Sequence, residues 1–133
     1  VRYGVMHKNT YMNSPQLLDN KFNLRSDKRF YFAGQMTGVE GYVESAASGL
    51  MAGLHAARAA LELEAVEFPS ETAHGALANY ISNPEVKEFQ PMNVNFGLIP
   101  PLTQRIHKKR EKNAMIAARS LEQLDILKEK YNI

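Results

Sequence analysis

The stretch that most constrains this chain is Gly34-Gln35-Met36-Thr37-Gly38-Val39-Glu40-Gly41, which puts three glycines into eight residues directly ahead of a long helical pattern. Val43, Ala46, Ala47, Leu50, Met51, Leu54, Ala57 and Leu61 recur at helical spacing, which predicts one apolar stripe on that helix. Ala46, Ala47, Gly49, Ala52, Gly53 and Ala56 keep it thin. In a helix interior Gly49 and Gly53 each cost about 1 kcal/mol against alanine, a cost that is tolerable where another backbone or a flat ligand must come close. Ahead of the turn, Phe30-Tyr31-Phe32-Ala33 is a short aromatic run whose length and flanks predict a buried strand. The expected order is strand, glycine-rich turn, slim buried helix. Such a junction is an anion or dipole site, because the first helical N–H groups lack intrahelical partners and the macrodipole adds about half a positive charge. Nucleotide cofactors use this geometry repeatedly. The spacing here is Gly-x3-Gly-x2-Gly, not the Gly-x-Gly-x-x-Gly of the dinucleotide fingerprint. On pattern alone, a cofactor-contacting turn and a plain structural loop both stay open.

The flanking sequence is less regular. Tyr3-Gly4-Val5-Met6-His7 is a second, weaker strand candidate, and Asn13-Ser14-Pro15 predicts a turn followed by a short helical turn at Gln16–Asp19. The long helix is expected to end before Phe68-Pro69. Ser70 and Thr72 are N-cap candidates for a further helix through about Ile81, which Asn83-Pro84 stops. From Glu88 to Leu102 a low-charge stretch with three prolines reads as an ordered loop with a buried face. A closing helix is predicted from about Thr103 to Tyr131, with Met115, Ala118, Leu121, Leu124 and Leu127 on its apolar side.

Composition narrows the function classes. At 133 residues, with 44% hydrophobic and 23% charged, the chain has room for one globular domain. It has no cysteine, which excludes a thiolate metal site or a cysteine nucleophile supplied by this chain. No apolar run reaches membrane-spanning length, and no secretory leader pattern opens the sequence. The net charge of +2 hides an uneven distribution: residues 104–133 hold eight Lys or Arg against four Asp or Glu, a local +4. Arg105, Lys108, Lys109, Arg110 and Lys112 fall within eight residues. Such a cluster suits phosphate contact, and equally a solvated helix face or an inter-domain surface.

The longer string decides more than the glycine pattern. Phe32-Ala33-Gly34-Gln35-Met36-Thr37-Gly38-Val39-Glu40-Gly41-Tyr42-Val43-Glu44-Ser45, with the small-residue helix behind it, resembles the distal FAD-binding segment of the folate- and FAD-dependent tRNA (uracil-5-)-methyltransferases, the TrmFO family. Related GidA/MnmG flavoproteins share the Gly-Gln and Gly-Tyr pairs, but their turn usually reads Asn-Gly-Thr where this one has Thr37-Gly38-Val39-Glu40-Gly41, and Val43-Glu44-Ser45 also resembles the methyltransferases. Arg2-Tyr3-Gly4-Val5-Met6-His7-Lys8-Asn9-Thr10-Tyr11 and Phe89-Gln90-Pro91-Met92-Asn93-Val94-Asn95-Phe96-Gly97-Leu98-Ile99-Pro100-Pro101 resemble the same family, so the likeness runs over nearly the whole chain.

The resemblance implies the carboxy-terminal third of a longer polypeptide, whose upstream part holds the ADP-binding glycine motif and the cysteines implicated in catalysis. The implied fold is α/β, the carboxy-terminal part of a Rossmann-like FAD-binding domain with few short strands (residues 1–64), plus a helix-rich remainder (residues 65–133) facing tRNA or another domain. The implied activity forms 5-methyluridine in the tRNA T-loop, with 5,10-methylenetetrahydrofolate as carbon donor, FAD as reductant and NAD(P)H behind it. Gly34, Gln35, Gly41, Tyr42 and Val43 are then the FAD contacts, through helix N–H groups and the Gln35 amide. Glu40 would pair with the pterin, and His7 and Asn9 would line the folate pocket. Glu40 could instead serve only the helix N-terminus, and His7 could be a surface histidine. The basic cluster would meet tRNA. His55 and His74 are expected to be ordinary helix residues, and Glu44 a local capping partner. The chain alone is expected to bind no cofactor and to be inactive, its protein cytoplasmic, with an oligomer left open. The rival readings are a GidA/MnmG-like enzyme acting on the wobble uridine and a stand-alone RNA-binding module.

Overall fold

In the computed structural model, which describes residues 10–133, the helices are α1 (Ser14–Leu17), α2 (Tyr42–Ala60), α3 (Ala73–Ser82) and α4 (Lys109–Tyr131), with a 3-10 turn at Gly34–Thr37. Tyr3–His7, the weaker strand candidate, lies outside the described residues. Extended pairing among the described residues is confined to isolated bridges: Leu18 with Leu24 and Asn23 with Tyr31, both antiparallel, and Val39 with Met92, parallel. Few strands were expected, but no sheet forms within these residues.

The Phe30–Ala33 run is therefore corrected from a buried strand to a single bridge. Among the described residues its backbone pairs with the arm before it: Phe32 N–H donates to Phe22 O, and Leu24 N–H to Phe30 O, both at 2.9 Å. Phe30 itself is 53% exposed, since nothing described covers its outer side. Phe22 is held at a φ of +65° by the tight Asp19–Phe22 loop and is fully buried.

The core gathers Leu18, Phe22, Val39, Met51, Leu77, Ala78, Ile81 and Phe89 between α1, α2 and α3. The face that α2 turns into it is Ser48, Met51, Ala52 and His55. Of the predicted stripe only Met51 is fully buried, whereas Val43, Ala46, Leu50, Ala57 and Leu61 are exposed. The physical reason is that α2 is apolar almost all round, with Glu44 and Arg58 its only charged residues. Periodicity of apolar residues cannot select a face when both faces are apolar.

Helix α3 starts where Thr72 caps it: the hydroxyl accepts from Gly75 N–H at 2.9 Å and donates to Pro69 O at 2.7 Å. Of the two cap candidates, Ser70 instead bonds the Glu71 carboxylate. A Cβ at Gly75 would collide with the carbonyl oxygens of Phe68 and Pro69, so the backbone packs against this helix as closely as glycine permits. Thr72→Ala should cost about 1 kcal/mol of stability, read as a lower urea midpoint at unchanged slope.

Helix α4 begins at Lys109, six residues later than the expected Thr103. Arg119 explains the delay: its guanidinium donates to the carbonyls of both Pro100 and Pro101 and folds the proline segment back along the helix. The buried positions are Ile116, Leu127 and Tyr131; of the predicted apolar side Leu127 is buried and Leu124 half-buried, whereas Met115, Ala118 and Leu121 are exposed. Leu127 and Tyr131 pack on Val66, and the Arg58 guanidinium stacks 5.2 Å over the Tyr131 ring.

Candidate functional site

The three glycines of the turn all take positive φ: +71° at Gly34, +83° at Gly38 and +92° at Gly41. This region disfavours side chains with a Cβ, and it is what the glycine spacing serves. Each glycine has its own reason. Gly34 N–H donates to the buried Ser48 hydroxyl at 2.8 Å, tying the turn to α2. Gly38 closes the 3-10 turn and lies flat beneath the Phe89 ring. Gly41 caps α2, with the Glu44 carboxylate on one side and the Asn93 amide on the other, where a Cβ would fall 2.7 Å from Asn93 Nδ2.

Two distant segments are sewn onto this turn. Glu40 N–H donates to Met92 O at 3.0 Å and Met92 N–H to Gly38 O at 2.9 Å, which fixes Asn93 beside Gly41. From the other side Met12 N–H donates to Met36 O, and the buried Ser14 hydroxyl donates to Thr37 O, both at 2.8 Å. Two of the three family-like strings thus meet here. The third ends at Tyr11, one residue before this anchor, with the Tyr11 ring edge-on to Phe89 at 6.0 Å.

The result is a cavity of about 420 Å³ lined by Gln35, Val39, Glu40, Gly41, Tyr42, Ser45 and Asn93. The N–H groups of Tyr42, Val43 and Glu44 meet no acceptor among the described residues, and no side chain makes a cap hydrogen bond to α2. Glu44 stands at the third helical position, where a capping acid would sit, but does not form the bond. These open donors at the positive end of a 19-residue helix can accept an electron-rich or anionic group.

Of the residues singled out in the sequence, Gln35, Glu40, Gly41 and Tyr42 come together in this cavity. The Val43 side chain turns away and lines a neighbouring apolar cavity of about 360 Å³, with Phe22, Met51, His74 and Val94. Gly34 contributes shape, since its N–H is already taken by Ser48. His7 and Asn9 lie outside the described residues. Asn93 and Ser45 went unnoticed as cavity residues. The available signal for Asn93 was an amide in the low-charge 88–102 stretch, and for Ser45 a polar residue one turn into an apolar helix.

Two histidines have specific surroundings. His55, 3% exposed, faces Lys21 O at 3.1 Å through Nδ1 and Val66 O at 3.0 Å through Nε2. His74 stacks on Phe68 at 5.7 Å, and its buried Nδ1 has no hydrogen-bond partner among the described residues. Burial holds its pKa below the ordinary histidine value, which favours the neutral ring.

The basic cluster is exposed throughout. Arg105 precedes α4, Lys108 is its N-cap, and Lys109, Arg110 and Lys112 fill its first turn. Lys108 pairs with Glu111 at 3.1 Å. Cations at a helix N-terminus oppose the macrodipole, so this placement does not stabilise the helix and concentrates positive potential at one end.

Comparison with known proteins bears on the same residues. The family model described as glucose inhibited division protein A matches residues 1–64, which include the whole glycine turn and α2. Over 129 residues, 97% of this chain, the sequence is 55% identical to the methylenetetrahydrofolate-tRNA-(uracil-5-)-methyltransferase TrmFO of Pelotomaculum thermopropionicum. Along nearly its whole length the chain is similar to TrmFO proteins. TrmFO of Listeria monocytogenes is 58% identical over 121 residues, 91% of the chain. TrmFO of Brevibacillus brevis is 53% identical over 133 residues, 99% of the chain. In each case the match covers 28–30% of the relative, so the chain spans under a third of the length of these TrmFO proteins.

Proposed function

We propose that this chain is the flavin-facing, carboxy-terminal part of a methyltransferase that makes 5-methyluridine in the tRNA T-loop from 5,10-methylenetetrahydrofolate. The observation that carries the reading is the identity of 53–58% with proteins of that name along nearly the whole chain. In this reading residues 1–64 complete a Rossmann-like FAD-binding domain and residues 65–133 form the helical part beside it. A cytoplasmic location and NAD(P)H as the electron source come with it, and an oligomer remains compatible.

The glycine turn fits a flavin in its chemistry. FAD, when bound, supplies the electrons that reduce the transferred carbon to a methyl group. The chain's part is to hold and polarise. N–H groups at Gly41, Tyr42 and Val43 donate to an electron-rich heterocycle edge, stabilising negative charge there without adding a cation. Gln35 offers a neutral amide to a ribityl or phosphate oxygen, and Gly34 lets the backbone pass close behind it. Glu40, on the same cavity wall, accepts two donors from a pterin edge, and His7 and Asn9 complete the folate side. Asn93 joins Glu40 as a neutral donor and acceptor, a role its position beside Gly41 supports.

The exposed cluster Arg105, Lys108, Lys109, Arg110 and Lys112 is proposed as the tRNA phosphate contact. Replacing Lys108, Lys109 and Arg110 with alanine in the intact enzyme should weaken tRNA binding. The slope of log K against log salt should flatten by about two to three units, as expected for three lost phosphate contacts. Unchanged affinity and slope would assign the cluster to a solvated face. The whole reading is tested with the intact protein, FAD, NAD(P)H, 5,10-methylenetetrahydrofolate and tRNA lacking the modification. 5-Methyluridine in the T-loop is the expected product. A modified wobble uridine would replace this reading with that of the GidA/MnmG-like enzymes.

A further inference from the structure

The cavity beside the glycine turn has two ends. At one end Ser45 stands against Gly34, its Oγ 3.9 Å from where a Gly34 Cβ would lie, with Gln35 next in the chain. At the other end are Gly41, the open N–H groups of α2 and the Asn93 amide, whose Nδ2 lies 2.7 Å from the position of a Gly41 Cβ. Asn93 is held there by its backbone. The two hydrogen bonds that join Met92 to Gly38 and Glu40 fix the residue just before it. Its own side-chain amide nevertheless bonds to no described residue. Two other asparagines use theirs locally: Asn95 accepts from Gly97 N–H at 2.9 Å and donates to Asn93 O at 3.2 Å, and Asn83 Oδ1 accepts from Glu85 N–H at 3.0 Å. An amide fixed at the positive end of a helix and left without a partner in the described chain offers an acceptor and two donors with no net charge.

We infer that Asn93 reads the pyrimidine edge of the flavin, its Oδ1 accepting the flavin N3–H while Nδ2 donates to the adjacent carbonyl oxygen. The inference rests on the reading that this turn faces FAD. That edge is an acceptor–donor–acceptor run, O2, N3–H and O4. Helix N–H groups can satisfy only the acceptors, so the N3–H needs an acceptor of its own. Gln35 and Ser45 stand at the Gly34 end, and Tyr42 projects outward, 98% exposed. Glu40 and the Glu44 carboxylate beside Gly41 are anions. A carboxylate against the N3–H would oppose the negative charge that the reduced ring carries and the helix N-terminus favours, whereas a neutral amide does not. Asn93 also lies beyond residues 1–64. The Val39–Met92 bridge thereby brings the 88–102 stretch into the cofactor's recognition, and not only into the fold around it.

The test is a binding cycle on the intact protein, stripped of flavin and kept free of tRNA and folate: FAD and N3-methyl-FAD against wild type and N93A. Wild type should bind N3-methyl-FAD at least about tenfold more weakly than FAD, because the methyl group removes the donor and crowds the amide. In N93A the same methyl group should cost less than about threefold, and FAD itself should bind about three- to tenfold more weakly than to wild type, as for one lost hydrogen bond. An equal methyl penalty in both proteins, or none in either, overturns the assignment while leaving FAD at the turn. A wild type that binds no FAD overturns the underlying reading, and the assignment falls with it. Should N93A fail to accumulate, the nearly isosteric N93D decides. Its carboxylate should weaken the binding of reduced FAD at least about tenfold more than that of oxidised FAD, a fall of about 30 mV in the two-electron potential. Equal weakening of both forms overturns the assignment.

Discussion

Gly38→Ala should destabilise the intact protein by about 2–5 kcal/mol, the sum of left-handed backbone strain and overpacking. Gly38 has a φ of +83°, and a Cβ there would sit 2.6 Å or less from carbons of the Phe89 ring. The ring has little room to retreat. It is wedged between Tyr11 and Tyr80, at 6.0 and 5.6 Å, and the Tyr80 hydroxyl is tied to Gln90 O at 2.8 Å. Gly38 O also accepts the Met92 N–H that aligns the 88–102 stretch with the turn. Denaturant unfolding reads the loss. Adding Phe89→Leu should recover the overpacking share, about 1–3 kcal/mol, and leave the backbone strain. Gly97→Ala is the control, since the only near neighbour of a Cβ there is the Asn95 side chain, and its effect should be far smaller.

His55→Leu should cost about 1–3 kcal/mol, because it removes the ring N–H that donates to one of two backbone carbonyls, Val66 O or Lys21 O, and leaves that carbonyl without its donor. The ring bridges Lys21 O in the loop before the hairpin-like arm to Val66 O after α2, and stands edge-on to Phe68 at 5.9 Å. Leucine keeps the volume and loses the donor. His55→Gln offers an amide N–H to the same carbonyl, so its loss should be smaller. If leucine and glutamine cost the same, the histidine contributes nothing beyond filling space. The residue is thus a clamp between segments, with no part in the proposed chemistry.

These two residues show what sequence could and could not reveal. The glycine turn was legible because glycine spacing reports backbone conformation directly, and all three glycines proved to have positive φ. Helix α3 was legible for a similar reason: Thr72 and Asn83-Pro84 are local signals acting through local bonds. The buried side of α2 was not, because an apolar helix with two charges gives periodicity nothing to choose between. His55 reads in sequence as an ordinary helix residue, since a histidine looks the same whether or not two carbonyls face it. The start of α4 depends on Arg119 reaching back about nineteen residues to a proline pair, and no window of helical spacing contains that. Within the candidate site, Gln35, Glu40, Gly41 and Tyr42 were found from one contiguous string. Asn93, over fifty residues away, required the Val39–Met92 bridge to bring it there.

The central claim is that the turn ending at Gly41 faces the flavin. Its most direct test is the FAD affinity of the intact protein and of Gly41→Ala, with stability of the apo form followed in parallel. At Gly41 the φ of +92° excludes alanine, and a Cβ would push into the Asn93 amide and Glu44 carboxylate that flank the open N–H groups. The account predicts a yellow wild-type protein and FAD binding at least about tenfold weaker in the variant, a loss of about 1.4 kcal/mol or more. A Gly41→Ala protein that binds FAD as tightly as the wild type would contradict it.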